Sequence, residues 1–237
     1  MKSCLFLIST LIPLSLAAAL LPRDDIDFSE YRDKPQHENV TATADEFIQN
    51  GCKEVLFFFA RGSMAPGNMG PPESVGPQTA NGLKLAFGND SVGVQGVPYD
   101  AWILSNLWIG GASYSGRKNM KKLIENAVRE CPNSIIVAGG YSQGAAVTHH
   151  AIENLSKKAK HKVAGVVTYG DTRRDDDNGR IPGFPSKKLL ILCNKGDWVC
   201  EGWILGVRKA HYDYGKRVPE AVAFLTEKIK AVQAARG

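Results

Sequence analysis

A three-layer α/β/α fold, with helices on both faces of a mostly parallel five-stranded sheet, is predicted by three observations. Short apolar runs recur five times, helical patterns fall between them, and one run breaks at a glycine pair into a turn that opens a helix. Continuous apolar runs suit strands buried on both faces, and such strands are joined by right-handed helical crossovers. With 237 residues, 43% hydrophobic and 22% charged, the chain is long enough for one sizeable core and too apolar for disorder.

The chain opens with Lys2, an apolar run over 4–16 and Ala17, Ala18 and Ala19, the layout of a secretory signal peptide spanning 1–19. A membrane anchor is the competing reading; Pro13, the polar Ser9, Thr10 and Ser15, and the short run speak against it. Residues 20–40 are charged and aperiodic, and read as a flexible lead-in that includes a pro-segment if processing extends to Arg23. Residues 41–237 form the expected folded unit. Within it, 43–49 predicts a short helix with Thr43 as N-cap and Glu46 completing a capping box. Strands are expected over 54–59, 92–97, 134–138, 163–169 and 189–193. Helices are expected over 77–87, 117–129, 143–157 and 219–235, the last with Pro219 in its first turn. Lys157, Lys158, Lys160 and Lys162 then close the helix that begins at Gln143, where cations complement a helix C-terminus. The net charge of +5 is modest. It calls for no nucleic-acid partner, and a monomer with no integral membrane segment is expected.

Cys4 falls in the signal, leaving Cys52, Cys131, Cys193 and Cys200 for an oxidising compartment. Cys52 and Cys131 each precede a predicted strand and so lie at one edge of a parallel sheet, which favours Cys52–Cys131 and Cys193–Cys200. No histidine stands at zinc-ligand spacing from these cysteines, so a metal site is not expected. Sequons begin at Asn39, Asn89 and Asn154.

Residues 135–147, IIVAGGYSQGAAV, carry G-x-S-x-G between a strand and a helix, the context in which a serine hydroxyl is exposed on a strained turn. Ser142 needs a base and an acid that orients it. His149 and His150 lie seven and eight residues down the same helix, roughly 10 to 12 Å away along its axis, out of reach. His37 falls in the lead-in and His161 in the lysine run, which leaves His211. Candidate acids between Ser142 and His211 are Asp171, Asp175, Asp176, Asp177 and Asp197. Asp175 to Asp177 read as a solvated turn closed by Asn178 and Gly179. Asp197 follows the last strand inside the loop that Cys193 and Cys200 would close, and is preferred; Asp171 is the runner-up. An oxyanion site would use the amide of Gln143 and a second donor from the loop Arg61-Gly62-Ser63 after the first strand.

Residues 132–144, PNSIIVAGGYSQG, and 193–200, CNKGDWVC, resemble the serine signature and the aspartate-bearing disulfide loop of fungal cutinases. FARGSMAPGNMG from Phe59, Gln95-Gly96-Val97, GRIP from Gly179 and HYDYG from His211 extend the resemblance in order from Cys52 to the C-terminus. It implies a secreted serine esterase with an open site and no large lid, acting on cutin and on short-to-medium acyl esters. It further implies Ser142, Asp197 and His211 as catalytic residues, Ser63 and Gln143 as the oxyanion hole, and Asn106 as support for Ser63. The same disulfide pairing is implied, and no cofactor or metal. One segment departs from the pattern. Between Cys200 and His211 the chain is one residue longer, with Trp203 where a small residue is usual and Arg208 and Lys209 close to His211.

Ile103, Leu104, Leu107, Trp108 and Ile109, with Trp203, Ile204, Leu205 and Val207, would form an apolar rim suited to a polyester or lipid-like ester; inward packing is the alternative. Two other functions compete. Acetylxylan esterase shares this architecture, and a non-catalytic secreted cuticle-binding or host-interaction protein would retain the fold without the turnover.

Overall fold

The computed structural model describes residues 40–107, 110–203 and 206–236. The expected signal peptide, nearly all of the lead-in, His37, Asn39, Trp108, Ile109, Ile204 and Leu205 lie outside the described residues. Five parallel strands, β1 (Val55–Ala60), β2 (Val92–Gly96), β3 (Ile135–Tyr141), β4 (Val163–Tyr169) and β5 (Leu189–Leu192), form one sheet in the order β2-β1-β3-β4-β5. The sheet is parallel throughout.

Strand alternation builds two cores. Leu56, Phe58 and Ala60 of β1 face α3 (Tyr114–Glu130) and α4 (Gln143–Glu153), together with Phe47 of α1 (Glu46–Asn50). Val55, Phe57 and Phe59 face α2 (Val75–Phe87) and α7 (Val218–Ala234). Because β1 is buried along its whole length, its sequence is apolar at every position rather than at alternate ones. Val40, assigned to the lead-in, belongs to the second core: its side chain is buried and its backbone N–H and C=O are paired with Asn81.

Helix ends depart from the sequence reading where side chains have better partners elsewhere. The capping box does not form. α1 starts after Asp45 with no side-chain cap, because Glu46 instead accepts the Val94 amide at 3.0 Å and pairs with Lys84 at 2.6 Å. α3 starts before the expected Arg117, since Ser113 accepts from the Gly116 amide. The expected helix over 143–157 is two helices. α4 ends at Glu153, and Ser156 caps a separate α5 (Lys157–Lys162) by accepting from the Ala159 amide. Lys157 and Lys158 therefore sit in the first turn of α5, not in the last turn of α4.

Register aligns the C-terminal ends of the strands. Ala60 pairs with Gly140, Tyr141 with Tyr169, and Tyr169 with Leu192. The chain runs outward from β1 to β2 and then returns to the other side of β1 with β3, so the loops after β1 and β3 diverge at the topological switch point, where α/β sheets place their sites.

Candidate active site

Ser142 ends the turn between β3 and α4 at φ 57° and ψ −121°, a conformation that side-chain-bearing residues rarely adopt. Two glycines allow it. A Cβ at Gly140 would lie 2.1 Å from the Gly144 carbonyl oxygen, and one at Gly144 would lie 2.0 Å from that of Ala60. Although Ser142 occupies the N-cap position of α4, its hydroxyl caps nothing. Its Oγ stands 2.8 Å from His211 Nε2.

His211 lies in a four-residue helix, α6 (Lys209–Tyr212), where the sequence reading had a loop. Its Nδ1 is 2.9 Å from both carboxylate oxygens of Asp197. The ring stacks on Tyr141, whose hydroxyl donates to the His211 carbonyl at 2.8 Å. Asp197 is fully buried and accepts also from the amides of Val199 and Cys200 and from the Tyr214 hydroxyl, at 3.1, 3.4 and 2.6 Å. Burial pushes its carboxyl up, but the hydrogen bonds and charge supplied by His211, Tyr214 and the Cys200 amide outweigh this and hold it below the ordinary value. Cys193 and Cys200 are disulfide-bonded around this loop, and Cys52 is joined to Cys131.

The runner-up acid is engaged elsewhere. Asp171, fully buried, lies 3.0 Å from His149 Nδ1 and accepts the Arg173 amide. Asp177, expected in a solvated turn, is mostly buried between Arg173 and His149.

Across from Ser142, Asn106 Nδ2 donates to Ser63 Oγ at 3.0 Å, and Asn106 Oδ1 accepts from Gln143 Nε2 at 2.8 Å. Gln143 Nε2 also donates to the Trp102 carbonyl. One network thus joins the loop after β1, the turn at Ile103–Leu107 and the start of α4. The loop that carries Ser63 is fixed by the buried Arg61, which donates to the carbonyls of Ala65 and Tyr99.

A cavity of about 620 Å³ opens beside Ser142 and His211, walled by Met64, Pro71, Val75, Ile103, Tyr141 and Val207 among others. Leu104, Leu107 and Trp203 are exposed as expected of a rim but do not line it. The turn Ile103–Leu107 is a 3-10 helix, in which residues three apart eclipse, so Ile103 and Asn106 face the cavity and Leu104 and Leu107 share another side. Of the altered segment, Val207 lines the cavity, while the Arg208 guanidinium lies over the Trp198 ring.

Sequence reasoning assigned nothing to Tyr141 or Tyr214. Both lie inside quoted motifs, and an aromatic residue beside the elbow serine and another three residues after the histidine were the signals available.

A model of the Cutinase family matches residues 51–229. The chain belongs to the cutinase family. Cutinase CUT2 of Pyricularia oryzae is 44% identical over 192 residues, covering 81% of this chain and 88% of that one. Cutinase 1 of Fusarium vanettenii is 39% identical over 198 residues, 81% and 84% of the two chains. Among solved structures, a Trichoderma reesei cutinase in complex with a phosphonate inhibitor superimposes with a TM-score of 0.68 at 33% identity, covering 80% of each chain. An acetylxylan esterase reaches a TM-score of 0.58 at 23% identity, over 75% of this chain and 99% of that one, a likeness of fold alone. Like its cutinase relatives, the chain is a carboxylic ester hydrolase.

Proposed function

We propose that this cutinase-family chain is a secreted serine esterase that hydrolyses the ester bonds of cutin and of short-to-medium acyl esters, with Ser142 as nucleophile. The observation that carries the reading is the unbroken chain from Ser142 Oγ to His211 Nε2 and from His211 Nδ1 to Asp197. In this reading Ser142 Oγ attacks the ester carbonyl and His211 Nε2 takes its proton, while Asp197 orients and stabilises the imidazolium. The Gln143 amide and the Ser63 hydroxyl receive the negative oxygen. Asn106 Nδ2 donates to Ser63 Oγ at 3.0 Å, and the Ser63 hydroxyl's own donor contact, to Asn106 Oδ1, is long at 3.4 Å, so its proton would turn from that oxygen to the oxyanion as charge develops there. Collapse transfers the proton to the leaving alcohol and leaves an acyl-Ser142; water, deprotonated by His211, then releases the acid. The 44% identity to a cutinase supports cutin as substrate, and the apolar cavity supports an acyl chain longer than acetyl. The signal-like segment at 1–19 and the two disulfides support secretion.

A profile of kcat/KM across 4-nitrophenyl esters, with cutin and acetylated xylan in parallel, tests the substrate class. Release of hydroxy acids from cutin and a maximum above acetate are expected. Preferential acetate release from xylan would instead select the acetylxylan esterase reading, and cuticle binding without turnover would select the non-catalytic one.

A further inference from the structure

We propose that Tyr214 is a positioning residue for ester hydrolysis, its phenol donating to Asp197 Oδ2 and setting how much of the carboxylate charge reaches His211. The inference rests on the esterase reading and extends it to a residue outside the Ser142, His211 and Asp197 chain.

The hydroxyl of Tyr214 has one donor and it is committed: it lies 2.6 Å from Asp197 Oδ2. Its acceptor side is taken by the backbone amide of Asn194 at 3.0 Å. With that amide pointing in, the phenol proton can only point at the carboxylate. The ring is fully buried and wedged edge-on against His211, Tyr141 and Tyr169, so the hydroxyl cannot swing away. Asn194 ties the same group to the imidazole from a second side, its Nδ2 donating at 2.9 Å to the carbonyl of Ala210, the residue before His211. The chain is therefore Asn194 N–H to Tyr214 O–H to Asp197 to His211 Nδ1. A neutral core tyrosine would need any one partner for its hydroxyl; this one is placed on the single buried carboxylate that faces the imidazole.

The ionisable groups around Asp197 come from every neighbouring element. They are His211 and Tyr212 of α6, Tyr214, Tyr141 of β3 and Tyr169 of β4. Arg217, at the start of α7, is paired with Glu220 and reaches Asn194 Oδ1, and Arg208 lies over Trp198. Burial and the adjacent carboxylate push the Tyr214 phenol above its ordinary value, so it remains a donor across the working pH range. A carboxylate that shares its charge with a phenol stabilises an imidazolium less than an unshared one does. Removing the hydroxyl should therefore favour the imidazolium in the free enzyme and move the acid limb of kcat/KM to higher pH.

The test is Tyr214→Phe beside Tyr169→Phe, which removes a buried phenol hydroxyl that pairs with Thr79 and, among the described residues, with no part of the Asp197 chain. For Tyr214→Phe the acid limb should move upward, and kcat should fall about tenfold with KM nearly unchanged, because a carboxylate that loses this hydrogen bond no longer holds the imidazole in line and that loss outweighs its fuller charge. The low-field proton resonance of the His211 Nδ1–H should shift as well, a readout that needs no turnover. Tyr169→Phe should leave the limb and the resonance in place, and thermal melting of both variants separates a general loss of packing. An unmoved acid limb and resonance in folded Tyr214→Phe, or equal movement in Tyr169→Phe, would overturn the proposal. A moved resonance in a protein that hydrolyses no ester would uphold the coupling and overturn the esterase reading.

Discussion

Gly144 illustrates how little freedom the residues around Ser142 have. A Cβ there would meet the Ala60 and Arg61 carbonyl oxygens at 2.0 and 2.4 Å, both backbone atoms that cannot step aside. Gly144→Ala should therefore cost about 3 kcal/mol or more of stability and most of the activity, read by denaturant unfolding and ester turnover. Asn106 carries a different burden, because it holds Ser63 and Gln143 through its two amide atoms. Asn106→Ala should lower kcat by ~10 to 10²-fold with little change in KM, since the support is felt where the oxyanion forms. The candidate catalytic residues were legible at this scale because their chemistry restricts the choice. Only one histidine stands between the last predicted strand and the last predicted helix, and one aspartate sits in a small cysteine-bounded loop. Asp171 could not be dismissed in the same way. Its engagement with His149 is a contact across 22 residues that no local pattern announces.

Among the elements, the strands were legible because burial on both faces leaves an apolar run in the sequence. Helix ends were less so. Glu46 looked like half of a capping box, but its carboxylate goes to Val94 and Lys84, partners 48 and 38 residues away. The break between α4 and α5 had a local sign in Ser156, three residues before Ala159, yet the residues around it are compatible with an unbroken helix. Ser156 also donates to Glu125 of α3. Ser156→Ala should cost about 1 kcal/mol in urea unfolding and leave kcat unchanged, because α5 lies at the edge of the sheet opposite the site. The Cys193–Cys200 loop behaves in the opposite way. Replacing both cysteines by serine should cost about 2 to 3 kcal/mol, as a short closed loop gives, and should also lower kcat, since the Val199 and Cys200 amides that hold Asp197 lie within it.

For the whole molecule, the strand order explains how the proposed nucleophile, base, acid and oxyanion donors, spread along the sequence from Ser63 to His211, come to share one site. The loops carrying Ser63, Ser142 and Asp197 all leave the same edge of one sheet. This edge also links folding to acid. Asp197 has a folded value below the ordinary 3.8, so its contribution to stability is complete above 3.8 and is lost as pH falls through the lower folded value. Asp197→Asn should flatten the fall in melting temperature below pH 4 relative to the parent protein, measured by scanning calorimetry. The cavity beside Ser142 is the part least visible in sequence, because much of its wall comes from the loop after β1 and the start of α2 and none from the conspicuous leucines at 104 and 107. The central claim is that Ser142 is the nucleophile, and reaction with an alkyl fluorophosphonate followed by peptide mapping tests it most directly. One equivalent bound at Ser142, in step with loss of ester hydrolysis and absent in Ser142→Ala, is the expected result; turnover that survives in Ser142→Ala would contradict it.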